Sequence, residues 1–208
     1  MLSSNTHGKM AYIKGFTLVE LMVGLSILAV LLMIGLPEMQ IYSQNAKIRK
    51  TAESFATDIM VARAEAIRTN DPTIFTLTSG APAADPASVT ASINGPNWVA
   101  SVVPGSGSPR LLVSKLGGEA SGRVIDASTT NIANARIQFN GLGTTNLTAV
   151  ASYRFTNAQL NPNCELSKAI RCIQVEVSMG GKTRICEPGR ASAAATSASD
   201  TRVCSVGG

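Results

Sequence analysis

The sequence predicts an α+β protein in which a long N-terminal helix, kinked near Pro37, packs on an antiparallel β-sheet head. An apolar run without charge extends from Leu21 to Leu36, and an apolar stripe with helical spacing continues beyond Pro37. After Pro72 the pattern changes to short β-type segments broken by turn residues. The chain therefore divides into three parts: a leader, residues 1–15; a long helix, residues 16–71, whose first half is transmembrane; and a β-rich head, residues 72–208.

The leader contains two basic residues, Lys9 and Lys14, and no acidic residue. Basic flanks of an apolar helix stay in the cytoplasm, which places the head in the periplasm after a single pass through the membrane. The only histidine of the chain, His7, also lies in the leader and would be removed with it. The formal net charge of +5 is mildly basic and is compatible with a polyanionic partner without being diagnostic of one.

The apolar helix that begins at Phe16 is long enough to cross a bilayer, since helical residues rise about 1.5 Å each and the hydrocarbon core is about 30 Å thick. Its one acidic residue, Glu20, would cost about 2.5–3.5 kcal/mol inside the membrane and therefore requires a partner. Cleavage between Gly15 and Phe16 would create an amine one helical turn from Glu20. The amine of a neighbouring copy could reach Glu20 when two such helices pack side by side.

The helix is expected to continue beyond Pro37, because proline removes one backbone donor and kinks a helix without ending it. Apolar residues spaced four and three apart then form one stripe, which the sheet of the head would cover. The stripe consists of Ile48, Ala52, Phe55, Ile59, Ala62 and Ala66. The helix should end at Asn70-Asp71-Pro72, since a residue before proline leaves helical geometry.

The head is predicted to be a meander-like antiparallel sheet with one face on the helix and the other in solvent. Apolar and β-branched runs between turn residues define its strands. The predicted strands are Thr73–Thr78, Asn97–Val103, Leu111–Leu116, Arg123–Ile125, Arg136–Asn140, Thr148–Phe155, Arg171–Ser178 and Lys182–Cys186. Only 4% of the residues are aromatic, so aliphatic side chains and alanine are expected to form most of the core.

Four cysteines lie in the last quarter of the chain: Cys164, Cys172, Cys186 and Cys204. In an oxidising periplasm they are expected to form disulfide-closed C-terminal loops, for which three pairings exist. The pairing Cys164–Cys172 with Cys186–Cys204 closes two short local loops and is favoured. A zinc site is the rival interpretation, although the spacing contains no Cys-x-x-Cys and no histidine remains.

Enzymatic functions are disfavoured by the residues that the mature chain would contain. Without His7 no Ser-His-Asp or Cys-His arrangement is possible. The sequence has no glycine-rich phosphate loop with a Walker lysine, and its carboxylates are scattered without an evident acid–base pair. We therefore expect a protein that is not an enzyme and that requires neither a cofactor nor a metal.

Residues 14–21 (KGFTLVEL) resemble the prepilin signature of the type IV pilin family. The resemblance implies cleavage between Gly15 and Phe16 by a prepilin peptidase, N-methylation of Phe16 and insertion in the bacterial inner membrane. It also implies that Glu20 binds the Phe16 amine of an adjacent subunit during filament assembly. The alternative is an ordinary secretory signal or a plain anchor, but the apolar run is longer than a signal's and no Ala-x-Ala-like site follows it closely.

Two further segments resemble the GspH/FimT family of pilin-like proteins. Residues 62–70 (ARAEAIRTN) are similar to its AR-x-EAI segment, and residues 137–143 (IQFNGLG) are similar to its I-x-F-x-x-x-G strand and turn. The resemblance implies a type IV pilin fold and a minor pilin of a type IV pilus system. The alternative that it leaves open is a minor pseudopilin of type II secretion. Either protein would assemble with other pilin or pseudopilin subunits into a filament driven by a cytoplasmic ATPase machine.

Residues 181–184 (GKTR) resemble the G-R-x-R motif of FimT-like pilins that bind DNA in natural transformation. Lys182 and Arg184 lie two apart in a predicted strand, so they would project from one face and neutralise adjacent phosphates of double-stranded DNA. Arg171 and Arg190 would extend this patch. Lys182 stands where the motif has arginine, which loses a bidentate grip on phosphate. The alternative is that the charges only keep a strand edge soluble and unpaired.

Overall fold

The computed structural model describes residues 15–116, 125–157, 159–165, 167–188 and 204, with residues 34–37 and 125–128 described by their backbone alone. Within these ranges the chain forms one long helix, α1 (Leu18–Thr69), followed by nine strands. The strands are β1 (Thr73–Thr78), β2 (Asn94–Gly95), β3 (Asn97–Val102), β4 (Arg110–Lys115), β5 (Ile125–Ser128), β6 (Arg136–Phe139), β7 (Ala151–Asn157), β8 (Ile173–Val177) and β9 (Thr183–Cys186). The predicted α+β class, with a long N-terminal helix on antiparallel strands, is confirmed.

Helix α1 ends at Thr69 because the next residue leaves helical geometry. Asn70 adopts a φ of 58°, the left-handed conformation that commonly closes a helix. Pro72 follows two residues later and cannot continue the helix. The predicted end of the helix is thus correct to within two residues.

By length and composition, no single helix in the described part of the chain qualifies as a membrane span. The segments Leu18–Met33 and Glu38–Thr69 qualify only together, as a bent pair. The break between them contains Pro37, where the sequence predicts the kink. Residue contacts divide the chain into two compact units, of which the second begins at Ile41 and contains the head.

The nine strands form two antiparallel sheets, so the prediction of one meander-like sheet is wrong. The first sheet has the order β4-β3-β1-β6 and the second has the order β2-β5-β7-β8-β9. Strand β1 pairs with both β3 and β6, although β6 follows it by some sixty residues. The chain enters the second sheet at β2 and β5 and then returns to the first at β6. Strand patterns in the sequence do not specify such long-range pairing.

The core lies between α1 and the two sheets, and it contains the predicted helix stripe. Each of its residues is fully buried: Ile48, Ala52, Phe55, Ile59, Ala62 and Ala66. Phe55 is central, since its ring lies 4.8–5.3 Å from the rings of Phe75 and Trp98 in the first sheet and of Tyr153 and Phe155 in the second. One helical side chain therefore joins both sheets through aromatic contacts.

The face of strand β1 that points away from the core is also buried, which corrects the prediction of a fully solvated face. In the first sheet, Thr76 and Thr78 alternate with the core residues Phe75 and Leu77, yet all four are buried. The loop that follows β1 is bonded to this sheet by Arg136, whose Nη2 donates to the carbonyls of Pro86 (2.8 Å) and Val89 (2.6 Å). A single cation thus anchors a loop against the sheet.

The ends of the strands differ modestly from those predicted. Strand β8 begins at Ile173 instead of Arg171, because Cys172 belongs to a disulfide and the backbone of Arg171 bonds to the helix. Strand β7 is shifted to Ala151–Asn157, and the short strand β2 was not predicted. Of the predicted strand Arg123–Ile125, residues 123 and 124 lie outside the described residues.

Candidate functional site

The N-terminus of α1 is organised by Thr17. Its Oγ1 accepts a hydrogen bond from the backbone N–H of Glu20 at 3.2 Å, the N-cap geometry of a Thr-x-x-Glu capping box. A carboxylate in the first turn also interacts favourably with the helix dipole. Glu20 therefore has a local role in starting the helix, which the Thr-x-x-Glu spacing could have indicated and which the sequence reasoning missed.

The segment around Gly15 and Phe16 has no cover from the rest of the described chain. A Cβ added at Gly15 would meet no atom within 4 Å, so the fold itself does not require glycine there. Phe16 is exposed, and the large apolar side chains from Leu18 to Met33 are at least half exposed. An apolar surface of this extent is characteristic of contact with lipid or with another protein.

Three segments that were singled out in the sequence meet at Arg63 in the second half of α1. Its Nε donates to the carbonyl of Gly143 at 2.9 Å, and its Nη2 donates to the carbonyl of Gly180 at 3.2 Å. Gly143 closes the turn after β6, whereas Gly180 and Gly181 form the turn between β8 and β9. These four residues, the Arg63 junction, bind the helix to one turn of each sheet.

Both turns of the Arg63 junction require glycine. Gly143 has a φ of 74° and Gly181 has a φ of 76°, which is the region that disfavours residues with a Cβ. A Cβ on Gly181 would lie 2.2 Å from the carbonyl oxygen of Gly143 and 2.8 Å from Nε of Arg63. Gly143 and Gly181 are thus explained by the close approach of their two turns beside the Arg63 side chain.

The two cations of the predicted DNA site, Lys182 and Arg184, line one cavity of about 320 Å³ together with Val150, Glu176 and Ser178. Lys182 is exposed just before β9. Arg184 lies in β9 opposite Glu176, and its Nε donates to Oε2 of that carboxylate at 2.6 Å. The structure therefore brings both side chains to the same cavity.

Glu176 changes the electrostatics that the sequence suggested for this cavity. Its side chain is 2% exposed, and it also accepts a hydrogen bond from Nε2 of Gln174 at 3.0 Å. A buried carboxylate needs a cation. The Arg184 guanidinium neutralises Glu176 within the fold and is therefore less available to an external anion. Lys182 has no side-chain partner among the described residues and is the stronger candidate for an external anion.

Arg171 does not lie beside Lys182. Its backbone N–H donates to Oδ1 of Asn45 on α1 at 2.8 Å, at the end of β8 opposite the β8–β9 turn. Seven residues separate Arg171 from Ser178, which is about 23 Å along an extended strand. Arg190 lies outside the described residues. Of the four predicted DNA-binding residues, the described structure brings Lys182 and Arg184 to one cavity. It places Arg171 beside Asn45, at the other end of β8.

The favoured disulfide pairing is confirmed, with bonds between Cys164 and Cys172 and between Cys186 and Cys204. The first bond closes a loop that contacts α1, since Nδ2 of Asn45 donates to the carbonyl of Ala169 at 3.0 Å. Sulfur atoms of the second lie within 4.8 Å of a Glu176 carboxylate oxygen. Because these sulfurs are bonded to each other, they offer no thiolate to zinc.

Two acidic residues of α1 have roles that the sequence reasoning missed. Nε1 of Trp98 donates to Oδ2 of the buried Asp58 at 2.8 Å, and burial raises the pKa of Asp58. Hydrogen bonds from Arg68 and Arg110 lower the pKa of Glu65 to about 2. The pairings of Asp58 with Trp98 and of Glu65 with Arg110 join residues distant in sequence and are not visible in the local pattern, whereas the spacing of Glu65 and Arg68 is that of a helical ion pair.

Comparison with known proteins gives two family matches. The prokaryotic N-terminal methylation motif matches residues 10–36, and the model of the type II transport protein GspH matches residues 51–181. A search of curated proteins finds no match.

Two solved structures are similar in part, and both are crystal forms of the type IV minor pilin FimU of Pseudomonas aeruginosa. One shares 13% identity over 67% of this chain and 92% of FimU, with a TM-score of 0.46. The other shares 12% identity over 71% of this chain and 92% of FimU, with a TM-score of 0.47. Scores of this size do not support a functional comparison.

Proposed function

The chain belongs to the GspH family and carries the prokaryotic N-terminal methylation motif, and from this premise we propose that it is a minor pilin of a type IV pilus system. It is inserted in the bacterial inner membrane by one helix, with its head in the periplasm, and it acts through assembly into a filament and not through catalysis. The observation that carries the proposal is the exposed apolar surface from Leu18 to Met33, which needs lipid before assembly and other subunits afterwards.

Processing by a prepilin peptidase between Gly15 and Phe16, followed by N-methylation of Phe16, is part of the proposal. The open space around Gly15 supports cleavage at this position. No internal contact requires a glycine there, whereas a peptidase that approaches the backbone closely would require one. An intact leader on protein from the native host, measured by mass spectrometry, would contradict it.

Glu20 is proposed to bind the Phe16 amine of an adjacent subunit. Removing one partner of a buried charge pair costs about 2–5 kcal/mol, so Glu20→Ala is expected to lower incorporation into filaments at least tenfold while the head still folds. Glu20→Gln should have the same effect, although glutamine preserves the capping box with Thr17. Incorporation is measured by immunoblotting of sheared filaments against membranes.

The matched control is Glu38→Ala, which removes an exposed acid from the same helix and should leave incorporation nearly unchanged. If Glu20→Gln assembles normally while Glu20→Ala does not, Glu20 acts by capping the helix. Normal assembly of both variants would disprove the charge-pairing role.

The second candidate function is a minor pseudopilin of a type II secretion system. The description of the matched family as a type II transport protein favours it. The genes next to the coding sequence discriminate the two functions, since pilus-assembly genes support the pilin and a secretion operon supports the pseudopilin. Deletion in the native host gives the direct test, by loss of surface pili or by loss of secreted protein.

A DNA-binding role in natural transformation is proposed for the cavity beside β9. Lys182 and the Nη groups of Arg184 would bind adjacent phosphates of double-stranded DNA without reading its sequence. Arg171 and Arg190 would contribute further phosphate contacts along the duplex. The exposure of Lys182 and its lack of a partner among the described residues support this role.

The DNA-binding proposal predicts a change in salt dependence. Lys182→Ala, measured on the full chain in detergent micelles, is expected to weaken duplex binding. The negative slope of log K against log salt concentration should become shallower by about 1. With Arg184→Ala added, the slope should become shallower by about 2 in total. Since Arg184→Ala also removes the guanidinium that pairs with Glu176, the unfolding of the double variant is measured in parallel.

Lys50→Ala serves as the control for these measurements, because Lys50 is an exposed cation on α1 far in sequence from β9. Lys50→Ala should change the salt-dependence slope by less than Lys182→Ala or the double variant does. Unchanged affinity and slope in the folded double variant would leave the protein with an assembly role alone.

A further inference from the structure

The loop between β7 and β8, residues 158–172, presents one apolar residue and two cations to solvent. The structure describes all of this β7–β8 loop except residues 158 and 166. Leu160 is 50% exposed, and Lys168 and Arg171 are exposed as well. Neither cation has a side-chain hydrogen bond or ion pair among the described residues, so both are available to an external anion.

The β7–β8 loop is held in place by the side chain of Asn161, which is buried. Its Nδ2 donates to the carbonyls of Glu165 (3.1 Å) and Ile170 (2.7 Å), and its Oδ1 accepts from the backbone N–H of Glu165 at 2.8 Å. The disulfide between Cys164 and Cys172 closes the same segment. Side chains on a preorganised scaffold lose little conformational entropy when they bind, which suits this loop to a contact role.

The β7–β8 loop also lies beside the part of α1 that follows the apolar run. Asn45 bonds to the carbonyl of Ala169 and to the backbone N–H of Arg171. It is nine residues after Leu36, the last residue of the apolar run, which is at most about 14 Å along a helix. The headgroup layer outside the hydrocarbon is about 6 Å thick. If the apolar run fills the hydrocarbon, Asn45 lies within about 8 Å of the headgroups, one Debye length at physiological salt.

The charge of this region is positive. Residues 38–50 contain Glu38 and three cations, Lys47, Arg49 and Lys50, and the loop adds Glu165 to its own two cations. Arg49 forms an ion pair within the helix, so four cations remain against two acids. Basic residues beside a membrane helix are attracted to anionic lipid headgroups, and a leucine among them favours the interfacial layer.

We propose that the β7–β8 loop binds the anionic phospholipid headgroups of the bilayer that holds the helix of the same chain. Lys168 and Arg171 contact lipid phosphates, and Leu160 enters the interfacial layer beside them. The inference rests on the proposed membrane insertion and goes beyond it, because it gives the head its own contact with the bilayer. This contact belongs to the membrane-inserted subunit, and assembly would release Arg171 for the duplex contact proposed above.

Photo-crosslinking of the full chain in vesicles tests the lipid contact. Leu160→p-benzoylphenylalanine introduces benzophenone into the loop, and the vesicles contain phosphatidylcholine either alone or with about one third phosphatidylglycerol. Mass spectrometry measures the lipid adducts. We expect at least threefold more adduct from Leu160→p-benzoylphenylalanine in the anionic vesicles than in phosphatidylcholine alone, because the attraction of the loop is electrostatic.

The positional control is Leu142→p-benzoylphenylalanine. Leu142 is 84% exposed, and its turn bonds to Arg63, which is 18 residues beyond Asn45 and therefore about 27 Å further along the helix. Adducts from this position should be at least fivefold fewer in the anionic vesicles. Equal yields from the two positions would overturn the proposal.

A charge variant tests the role of the cations. Lys168→Ala, combined with benzophenone at Leu160, is expected to reduce the lipid adducts severalfold without lowering the unfolding temperature. The matched control is Lys115→Ala, since Lys115 is an exposed cation in β4 opposite Trp98, and it should leave the yield nearly unchanged. Equal effects of the two substitutions would contradict a specific contact of the loop.

Flotation of the chain with the vesicles after alkaline extraction reports membrane insertion separately. Equal adduct yields in the two kinds of vesicle, or links to protein alone, would also overturn the lipid contact. If the chain floats and either result is obtained, the loop proposal fails and the proposed membrane insertion stands. A chain that does not float contradicts both.

Discussion

Replacing Phe55 with alanine is expected to lower the free energy of unfolding of the head by about 3–5 kcal/mol, the range for a buried phenylalanine that leaves a cavity. Phe55 is fully buried, and its ring contacts four other aromatic rings, two in each sheet. The substitution therefore removes the aromatic contacts that join both sheets to α1. At about 2–4 °C per kcal/mol for a domain of this size, the unfolding temperature should fall by roughly 10 °C.

The measurement is thermal and denaturant unfolding of the full chain in detergent micelles, followed by far-UV circular dichroism. The fluorescence of Trp98, the only tryptophan, provides a second signal from the core. Tyr42→Ala is the matched control, because Tyr42 is an exposed aromatic residue on the same helix and should change stability by no more than about 0.5 kcal/mol. Equal effects of the two substitutions would contradict the central position of Phe55.

Gly181→Ala is expected to destabilise the head by about 2–4 kcal/mol. An L-residue in the left-handed region costs about 1–2 kcal/mol, and the added Cβ would also lie 2.2 Å from the backbone oxygen of Gly143. Relief of this contact requires the β8–β9 turn to move, which would weaken the bonds from Arg63 to both turns. The same movement would displace Lys182, so duplex DNA binding should weaken as well.

Gly180→Ala provides a control one residue away. A Cβ at Gly180 would approach only Oγ of Ser178, at 4.0 Å, and this glycine does not have a positive φ. Its effect on the free energy of unfolding should therefore be within about 0.5 kcal/mol of zero. If Gly181→Ala were equally mild, the close approach of the two turns would not be a constraint on the fold.

The accuracy of the sequence-based predictions depended on the range of the interaction concerned. The helix stripe around Phe55 is correct in every residue, because helical periodicity is a local property of the chain. The β8–β9 turn and the disulfide pairing are also correct, since both join segments close in sequence. The single meander is wrong because β1 pairs with β6, and strand patterns carry no information about which strands meet.

The candidate site was predictable only in part for the same reason. The alternation of side chains in a strand brings Lys182 and Arg184 to one cavity. The pairing of Arg184 with Glu176 depends on the register between β8 and β9, which the sequence pattern does not specify. Arg171 was grouped with these residues by its nearness in sequence. It lies before the start of β8, at the end of that strand away from the β8–β9 turn and five residues before Glu176, the residue opposite Arg184.

The amino-acid sequence by itself determined the long helix with its apolar N-terminal surface and the end of that helix at Asn70, and it favoured the disulfide pairing that the structure shows. The tertiary structure alone decided how two sheets share one helix and how Arg63 bonds to two distant turns. The physical reason is that periodicity, capping and short loops act between residues near in sequence. The bond from Arg63 to Gly143 instead spans 80 residues, and it forms only when burial of the common core brings the two segments together.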